Sequence, residues 1–377
     1  MNILVVCHYG MYQNLTNSFV HQQAAALAAL GHCVRVVIPV PVGKRCRGRR
    51  FGPAVVRQQA DGVTLCYCRC VSLSNWGADW FNMPSARLSL QRHLPQLLEE
   101  FRPDVIHAHT LGFDSELGKW LKKKLGVPLV VTTHGSDTSI PMERGEGAQM
   151  KAFCEGVDRI VAVSSVLGDK LRACGTTTPI TAVLNGYAAQ NRPSVSERVP
   201  LSFLQVGHLQ TQKRVDVTLR AVAKLREIHP EAVLTVIGAG PEREALETLS
   251  RELRMEDSVR FTGEISNREV LTEMSRTQFF VMPSVREGFG IVYLEAMASG
   301  CIAVGTEGEG IADLICHGEN GFLVPPDDPD AIVKVIEHCL ACPETAAAVA
   351  ARGRQDAQAL TWEKNAGRYA DLFRELL

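Results

Sequence analysis

No export signal is expected at the N-terminus. Its apolar run, Ile3 to Cys7, is five residues long and has no basic stretch before it, whereas a secretory leader needs roughly 7–15 apolar residues and a membrane helix about 20. A cytoplasmic protein is expected, with Ile3–Cys7 as a first buried strand. The dinucleotide fingerprint G-x-G-x-x-G is also missing. CHYGMYQNLTN, the loop after that strand, carries the single glycine Gly10, which weakens a hydride-transfer function. No nucleic-acid-binding module accompanies the basic residues, so a nucleic-acid partner is not expected. The two halves share no sequence repeat.

Metal motifs are scarce as well. The twelve cysteines in so long a chain without an export signal read as free thiols rather than a disulfide framework. Alternation puts Cys66, Cys68 and Cys70 on one face of a strand, where packing as small hydrophobes is the plain expectation. Cys339 and Cys342 form the one C-x-x-C, without a second ligand pair. The acidic run DDPD at 327–330 opens a helix, where Asp is common as a cap. No metal is assigned.

What the sequence has is enough apolar material for two cores, 46% of its 377 residues, at a length that calls for two domains of about 180 residues each. Net charge is −1, but the halves differ: residues 1–184 hold 20 Lys and Arg against 13 Asp and Glu, and residues 185–377 hold 20 against 28. A basic first half suggests an anionic partner. The densest cluster is Lys44 to Arg50, with Lys122 to Lys124 second. Such a cluster is either a solvated loop or a contact for the anionic inner membrane leaflet or a phosphate-bearing acceptor, which would make the protein peripheral on the inner face.

Strand-like runs at Ile3–Cys7, Val34–Pro39, Val63–Cys70, Val105–His107, Leu129–Thr132, Ile160–Val163 and Ile180–Val183 alternate with helical patterns at Ser18–Leu30, Ser85–Phe101, Ser115–Leu125 and Ser164–Cys174. This is the pattern of an α/β domain with a parallel sheet, whose ligands lie at the carboxyl ends of the strands. Residues 185–200 are polar, contain two prolines and read as a linker. Strands and helices resume from 201, and Ser266 with Glu269 forms a capping box. After Val324 the chain is expected to be helical. The expected domains are therefore 1–184 and 201–360, with a last helix at about 361–377.

The most informative stretch is FFVMPSVREGFGIVYLEAMASG, residues 279–300. Phe279–Met282 reads as a buried strand, Pro283 and Ser284 stop it, and a helix begins near Ile291. Gly288 and Gly290 on either side of Phe289 let backbone approach a ligand, and the N–H groups at the helix start suit phosphate oxygens. Glu287 and Glu295, with seven residues between them, accept hydrogen bonds and so suit hydroxyl-rich groups such as a hexose and a ribose on either side of that anion. A nucleotide sugar has these three parts in that order. The plain alternative is that Glu287 favours a helix start electrostatically and Glu295 pairs with a surface cation.

The run EGFGIVYLEAMASG resembles the E-x7-E segment of retaining glycosyltransferases of the GT-B fold, specifically glycosyltransferase family 4. VGHLQTQKR (206–214), VIGAGPEREALE (236–247), VRFTGEIS (259–266), GEGIADLI (308–315) and GENGFLVPPDDP (318–329) match in order. The resemblance implies two doubly wound Rossmann-like domains facing a cleft, with TWEKNAGRYADLF crossing back to the first. It implies that Glu287 orients the transferred sugar and Glu295 holds the ribose. Gly207, His208, Lys213 and Arg214, with Gly288, Phe289, Gly290 and Ile291, would face the diphosphate, and Glu264 and Ile265 the base. His134, after the strand LVVTT, would contact the sugar near its reacting carbon, its alternative being a histidine satisfied by its own loop HGSD. His107 and His109 are expected to pack and to support that loop. Gly10 to Asn17 would occupy the position of a loop that moves over donor or acceptor. Where most members have Arg after the glycine, this chain has His208.

The donor implied is a nucleotide sugar, UDP-linked ahead of GDP-linked, as co-substrate without any cofactor; the acceptor is a saccharide or lipid-linked. SFVHQQAAALAALGH and HGSDT resemble teichuronic-acid-type transferases, which implies surface polysaccharide or glycolipid synthesis. Two alternatives stay open: other nucleotide-sugar chemistry on this fold, such as epimerisation, and a non-catalytic nucleotide-sugar binder.

Overall fold

The computed structural model describes residues 1–12, 18–42, 54–71, 79–188 and 198–377. They group into two compact units, Met1–Leu184 with Trp362–Leu377, and Asn185–Thr361.

In the first unit β1 (Asn2–Val6), β2 (Cys33–Val42), β3 (Val55–Ala60), β4 (Val63–Val71), β5 (Val105–His109), β6 (Leu129–Thr133), β7 (Arg159–Ala162) and β8 (Ile180–Ala182) form one sheet in the order β3-β4-β2-β1-β5-β6-β7-β8. The central strands are continuous apolar runs because helices cover both faces. Those helices are α1 (Phe19–Ala29), α2 (Asp79–Leu97), α3 (Phe113–Leu125), α4 (Ser136–Glu143), α5 (Gly147–Cys154) and α6 (Ser165–Ala173). Ser18 caps α1 by accepting the N–H of His21 at 3.2 Å. Cys66 and Cys68 are buried in the core with Leu4, Val6 and Ile106, and Cys70 is buried too, so the three alternate cysteines serve as small hydrophobes.

Two expectations need correction. The sheet is not wholly parallel, because β3 pairs antiparallel with β4 through the two-residue turn Asp61-Gly62. Both turn residues have positive φ, 50° and 77°, the geometry that Asp-Gly favours in a tight hairpin. The segment after His134 is not an extended loop, since α4 starts at Ser136 and α5 follows. Each is only eight residues long, too short for a helical period to show against the small and polar residues of HGSDTS.

The C-terminal helix α13 (Trp362–Arg374) belongs to this first unit. Trp362 Nε1 donates to Gln22 Oε1 at 2.6 Å, Gln23 Nε2 donates to Asn365 Oδ1 at 2.7 Å, and the Tyr369 hydroxyl meets Thr132 Oγ1 at 2.9 Å.

In the second unit β9 (Val199–Val206), β10 (Val233–Ile237), β11 (Val259–Gly263), β12 (Thr277–Val281), β13 (Ile302–Thr306) and β14 (Phe322–Val324) form a parallel sheet in the order β11-β10-β9-β12-β13-β14. Its helices are α7 (Val215–Arg226), α8 (Arg243–Glu252), α9 (Asn267–Arg276), α10 (Ile291–Ala298), α11 (Pro329–Ala341) and α12 (Pro343–Gln358). β9 begins at Val199, inside the stretch expected as linker; residues 189–197 of that stretch lie outside the described residues. Phe203 and Phe279 stack in the core, ring centroids 5.3 Å apart. Each such ring contributes about 2–3 kcal/mol by leaving water.

Both sheets reverse strand order once near the middle, between β1 and β5 in the first and between β9 and β12 in the second. At such a reversal the loops leaving the carboxyl ends of the two strands part to opposite faces and leave a crevice.

Candidate functional site

In the second unit the reversal is lined by the loops after β9 and β12, with the loop after β11 on the same edge. Strand β9 runs into Gly207, and the backbone of Gly238 at the end of β10 is pressed against it. A Cβ on Gly238 would lie 1.9 Å from the Gly207 carbonyl oxygen, so only glycine fits. His208 follows with an exposed side chain that makes no hydrogen bond or ion pair among the described residues. A 3-10 turn, Thr211–Lys213, then leads to Arg214, whose φ of 49° starts α7. The Lys213 carbonyl accepts from Gln205 Nε2 at 2.6 Å, and the Gln212 carbonyl accepts the N–H of Val285 at 2.9 Å. The first bond holds the loop to its own strand, and the second ties it to the loop after β12.

Lys213 Nζ bonds the carboxylate of Glu287. Their side chains are only 19% and 18% exposed, so the two charges meet partly out of water, where their attraction is stronger than at the surface. Downstream, Gly290 (φ 77°) caps α10, and a Cβ there would lie 2.8 Å from the Tyr293 ring. The Tyr293 hydroxyl donates to the Met282 carbonyl, fixing the helix start against the end of β12. The helix opens with backbone N–H groups that have no partner within it.

Glu295 is half-buried on α10. Burial pushes its pKa up to about 7, opposed by a hydrogen bond from Asn267, whose Nδ2 lies 3.5 Å from Oε1. Asn267 opens α9, whose capping box of Ser266 and Glu269 is present. Glu264 is exposed and Ile265 half-buried on the loop between β11 and that cap.

Arg214 is placed differently from Lys213. Its Nη2 donates to Asp327 Oδ2 at 2.9 Å, and Nε stands 2.8 Å from Oδ1 in the same ion pair. A charge-assisted hydrogen bond of this kind is stronger than one between neutral groups. Asp328 caps α11 by accepting the N–H of Ala331 at 3.0 Å, and Asp330 meets Lys224 at 2.5 Å. The DDPD run is thus used up in a cap and two ion pairs.

In the first unit the reversal gathers imidazoles. His8 follows β1, and its Nδ1 lies 2.7 Å from Oδ2 of Asp114, fully buried in the first turn of α3. Thr110 Oγ1 donates to the same oxygen at 3.0 Å. Cys7 Sγ, His8 Nδ1 and the Asp114 carboxylate lie within 4.8 Å of one another. Tetrahedral ligands about 2.0–2.1 Å from zinc stand roughly 3.3 Å apart, so the 2.7 Å contact is the geometry of a hydrogen-bonded pair.

His134, at the end of β6, stacks on His109 with centroids 5.3 Å apart and Nε2 3.0 Å from His109 Nδ1. Phe19 covers its ring at 4.6 Å. Its Nδ1 has no hydrogen-bond partner among the described residues. Asp137 holds this corner: Oδ1 accepts from the N–H groups of His134 and Gly135 and from Thr133 Oγ1 at 3.0, 2.9 and 3.0 Å, and Oδ2 accepts the N–H of Leu111 at 2.9 Å. Burial lowers His134 to about 4, with Asp137 opposing and His8 adding to the shift. His107 is lowered to about 3 by burial and by His134. These two rings are therefore neutral near pH 7. His107 packs as expected, bonded to Thr132 Oγ1 at 2.8 Å and against Tyr369, whereas His109 does more than support a loop, because it bonds the His134 ring itself.

The structure thus brings together Lys213, Glu287 and the α10 start, with Glu295 one turn further along that helix, and commits Arg214 elsewhere. Sequence reasoning missed Asp114, Asn267 and Asp327, whose partners His8, Glu295 and Arg214 lie far along the chain, and Asp137, whose partners are mostly its own neighbours. Asp137 alone had a local signal, an Asp two residues after a glycine at a strand end. The basic stretch Lys44 to Arg50 and residues 13–17 of the loop after β1 lie outside the described residues.

Two doubly wound α/β units, each with its polar residues at the strand-order reversal, define the GT-B fold. Sucrose-phosphate synthase from Thermosynechococcus elongatus superimposes with a TM-score of 0.81 over 100% of this chain and 99% of its own at 21% identity. HepE from Anabaena in complex with UDP does so with a TM-score of 0.78 over 100% of both chains at 17% identity. The model "Glycosyl transferases group 1" matches residues 190–356 and "Glycosyltransferase Family 4" matches residues 16–190. Glycogen synthase of Mycobacterium tuberculosis is 28% identical over 355 residues, 89% of this chain and 84% of that protein. Together the two models cover residues 16–356, and with the fold they support a GT-B glycosyltransferase of the family 4 type.

Proposed function

We propose that the protein is a retaining transferase that moves a sugar from a nucleoside diphosphate, UDP ahead of GDP, to a saccharide or lipid-linked acceptor, and does so without a metal. The observation that carries this reading is the order of groups along one edge of the second unit. Glu287 with Lys213 comes first, then the N–H groups opening α10, then Glu295 with Asn267. A sugar, a diphosphate and a ribose need hydroxyl acceptors, cationic or N–H donors, and again a hydroxyl acceptor.

In this reading the diphosphate draws Lys213 away from Glu287, and the released carboxylate takes a sugar hydroxyl. One ion pair is exchanged for charge-assisted bonds to both halves of the donor. Lys213 and the helix start stabilise the charge that develops as the sugar–phosphate bond breaks. The leaving phosphate oxygen takes the acceptor proton, so no protein nucleophile is needed. His134 stays neutral at the first unit's own reversal. Arg214 shapes the loop through Asp327 rather than meeting the phosphates. The UDP bound by HepE supports a uridine donor. The basic first half supports an acceptor at an anionic membrane surface, as in surface polysaccharide or glycolipid synthesis.

The test is a thermal-shift screen of UDP-, GDP-, ADP- and CMP-sugars, since a ligand bound only by the folded state raises its stability with log concentration. Turnover of the best ligand is then measured in excess chelator. A UDP-sugar should give the largest shift and turnover should persist. A loss of turnover restored by magnesium or manganese would overturn the metal-free reading.

A further inference from the structure

We propose that Glu309 is a positioning residue for Glu287. The proposal rests on the reading of Glu287 as the carboxylate that meets the transferred sugar. Glu309 Oε1 accepts the N–H of Arg286 at 2.9 Å, and Oε2 accepts the N–H of Glu287 at 2.9 Å. The next residue, Gly310, donates its N–H to the Glu287 carbonyl at 3.2 Å. Residues 309 and 310 therefore hold Glu287 from both sides of its Cα.

Arg286 lies in the left-handed region with φ 63°. Two successive N–H groups around such a residue form a concavity that suits an anion. Glu309 fills it from within the chain. Its own place is set by the sheet rather than by a ligand: it follows β13 by three residues, and the N–H of Glu307 donates to the Val324 carbonyl at 2.9 Å. It also caps a 3-10 turn, Gly310–Asp313, whose Ile311 is fully buried.

The physical consequence is a fixed direction for the Glu287 side chain. With the backbone held, its carboxylate reaches Lys213; with the concavity empty, the loop loses its anchor and a donor phosphate gains a competing pair of N–H groups. Removal of Glu309 should then cost turnover while the nucleotide itself still binds.

The experiment compares Glu309→Ala and Glu309→Gln with the parent in the full chain. The first readout is amide hydrogen exchange of the ligand-free protein across residues 283–290. Exchange at Arg286 and Glu287 should quicken about tenfold or more in the Ala variant, slow again on adding formate, and stay unchanged in the rest of the second unit. The second readout is nucleoside diphosphate release from UDP-glucose, GDP-glucose and ADP-glucose. For whichever is turned over, kcat should fall about 10- to 100-fold with KM within about threefold, formate should restore part of it, and restoration should vanish when Glu287→Gln is added. Unchanged exchange at those two amides overturns the proposal, as does exchange that quickens throughout the unit. If Glu287→Gln alone turns over normally, it is the sugar-contact role of Glu287 that fails, and the exchange result still decides whether Glu309 holds its backbone.

Discussion

The two units set their polar residues at the same place in the same topology, yet they solve the problem of buried polarity in opposite ways. At the β1/β5 reversal the groups are largely uncharged rings, and two carboxylates, the buried Asp114 and the half-buried Asp137, satisfy neighbouring N–H and hydroxyl groups. At the β9/β12 reversal the groups are charged and paired, Lys213 with Glu287 and Arg214 with Asp327. A network whose carboxylates are already bonded to their own neighbours has no charge left to exchange. An ion pair beside a helix start can trade one partner for an incoming anion. The topology therefore selects where a ligand goes, and the charge state of the residues there selects which part of it.

The largest effect should come from breaking the charged side of this contrast. Glu287→Gln should lower turnover about 100-fold or more, the scale seen when one transition-state contact is lost, and leave the affinity for free nucleoside diphosphate within about twofold. Glu295→Gln should do the reverse, weakening that affinity about tenfold, as expected for the loss of hydrogen bonds to a charged acceptor. Calorimetry with UDP separates them. Equal weakening by both would mean that the two carboxylates have the wrong roles.

Breaking the neutral side should affect stability instead. Asp137→Ala leaves three N–H groups and a threonine hydroxyl without their acceptor and should destabilise the first unit by about 2 kcal/mol, with UDP binding kept. The buried rings add a pH dependence of fixed sign. His134 is held near 4 and His107 near 3, below the ordinary 6.5, by burial. Near pH 5 the unfolded chain binds protons that the folded one does not. Stability is then fully present above about 6.5 and is lost as pH falls toward 4. Calorimetric unfolding between pH 7 and 4.5 reads both effects; a flat profile would show that these rings ionise in the folded unit.

The contrast was unevenly legible in the sequence. The second unit's site was readable because its parts are close in the chain or carry a motif: Gly288, Gly290, Glu287 and Glu295 lie within ten residues, and Lys213 follows a strand end. The placement of Arg214 was not readable, because its partner Asp327 is more than a hundred residues away. The first unit's site was barely readable. His134 stood out, but His8, Asp114 and His109 join it only once β1, β5 and β6 are side by side, and parallel strands are always distant in sequence. The hairpin of β3 and β4 was signalled by Asp61-Gly62 yet hidden among strands that read as parallel, and α4 and α5 were too short for a period to show.

Within the second unit the pH response should distinguish its two ends. Glu295, near 7 in the empty site, must be ionised to accept two ribose hydroxyls. Below pH 7 binding must first expel a proton, so affinity should weaken as pH falls, by at most about tenfold per unit, and level off above. A sugar nucleotide is the right probe, since its diphosphate has no group titrating near 7. Glu295→Gln should flatten the profile. A profile flat from pH 6 to 8 in the His208→Arg background would take Glu295 out of the ribose contact.

The smallest effect concerns His208, and it should run in the opposite direction. Its side chain is exposed on the loop that carries Lys213, and Arg214 further along that loop is held by Asp327. If His208 reaches the diphosphate, the bound anion favours imidazolium, donor binding takes up a proton, and affinity strengthens as pH falls through the range near 7. The parent profile is then the sum of two opposed slopes, one from each end of the donor. Glu295→Gln should therefore do more than flatten it, leaving a residual strengthening toward low pH. His208→Arg should remove that residue of pH dependence and tighten sugar-nucleotide binding about two- to fivefold, the worth of one screened cation on a phosphate. Titrations of the parent, the two single variants and the double variant resolve both slopes. If His208→Arg changes neither affinity nor profile in the Glu295→Gln background, His208 lies away from the diphosphate and Lys213 with the α10 N–H groups carries its charge alone.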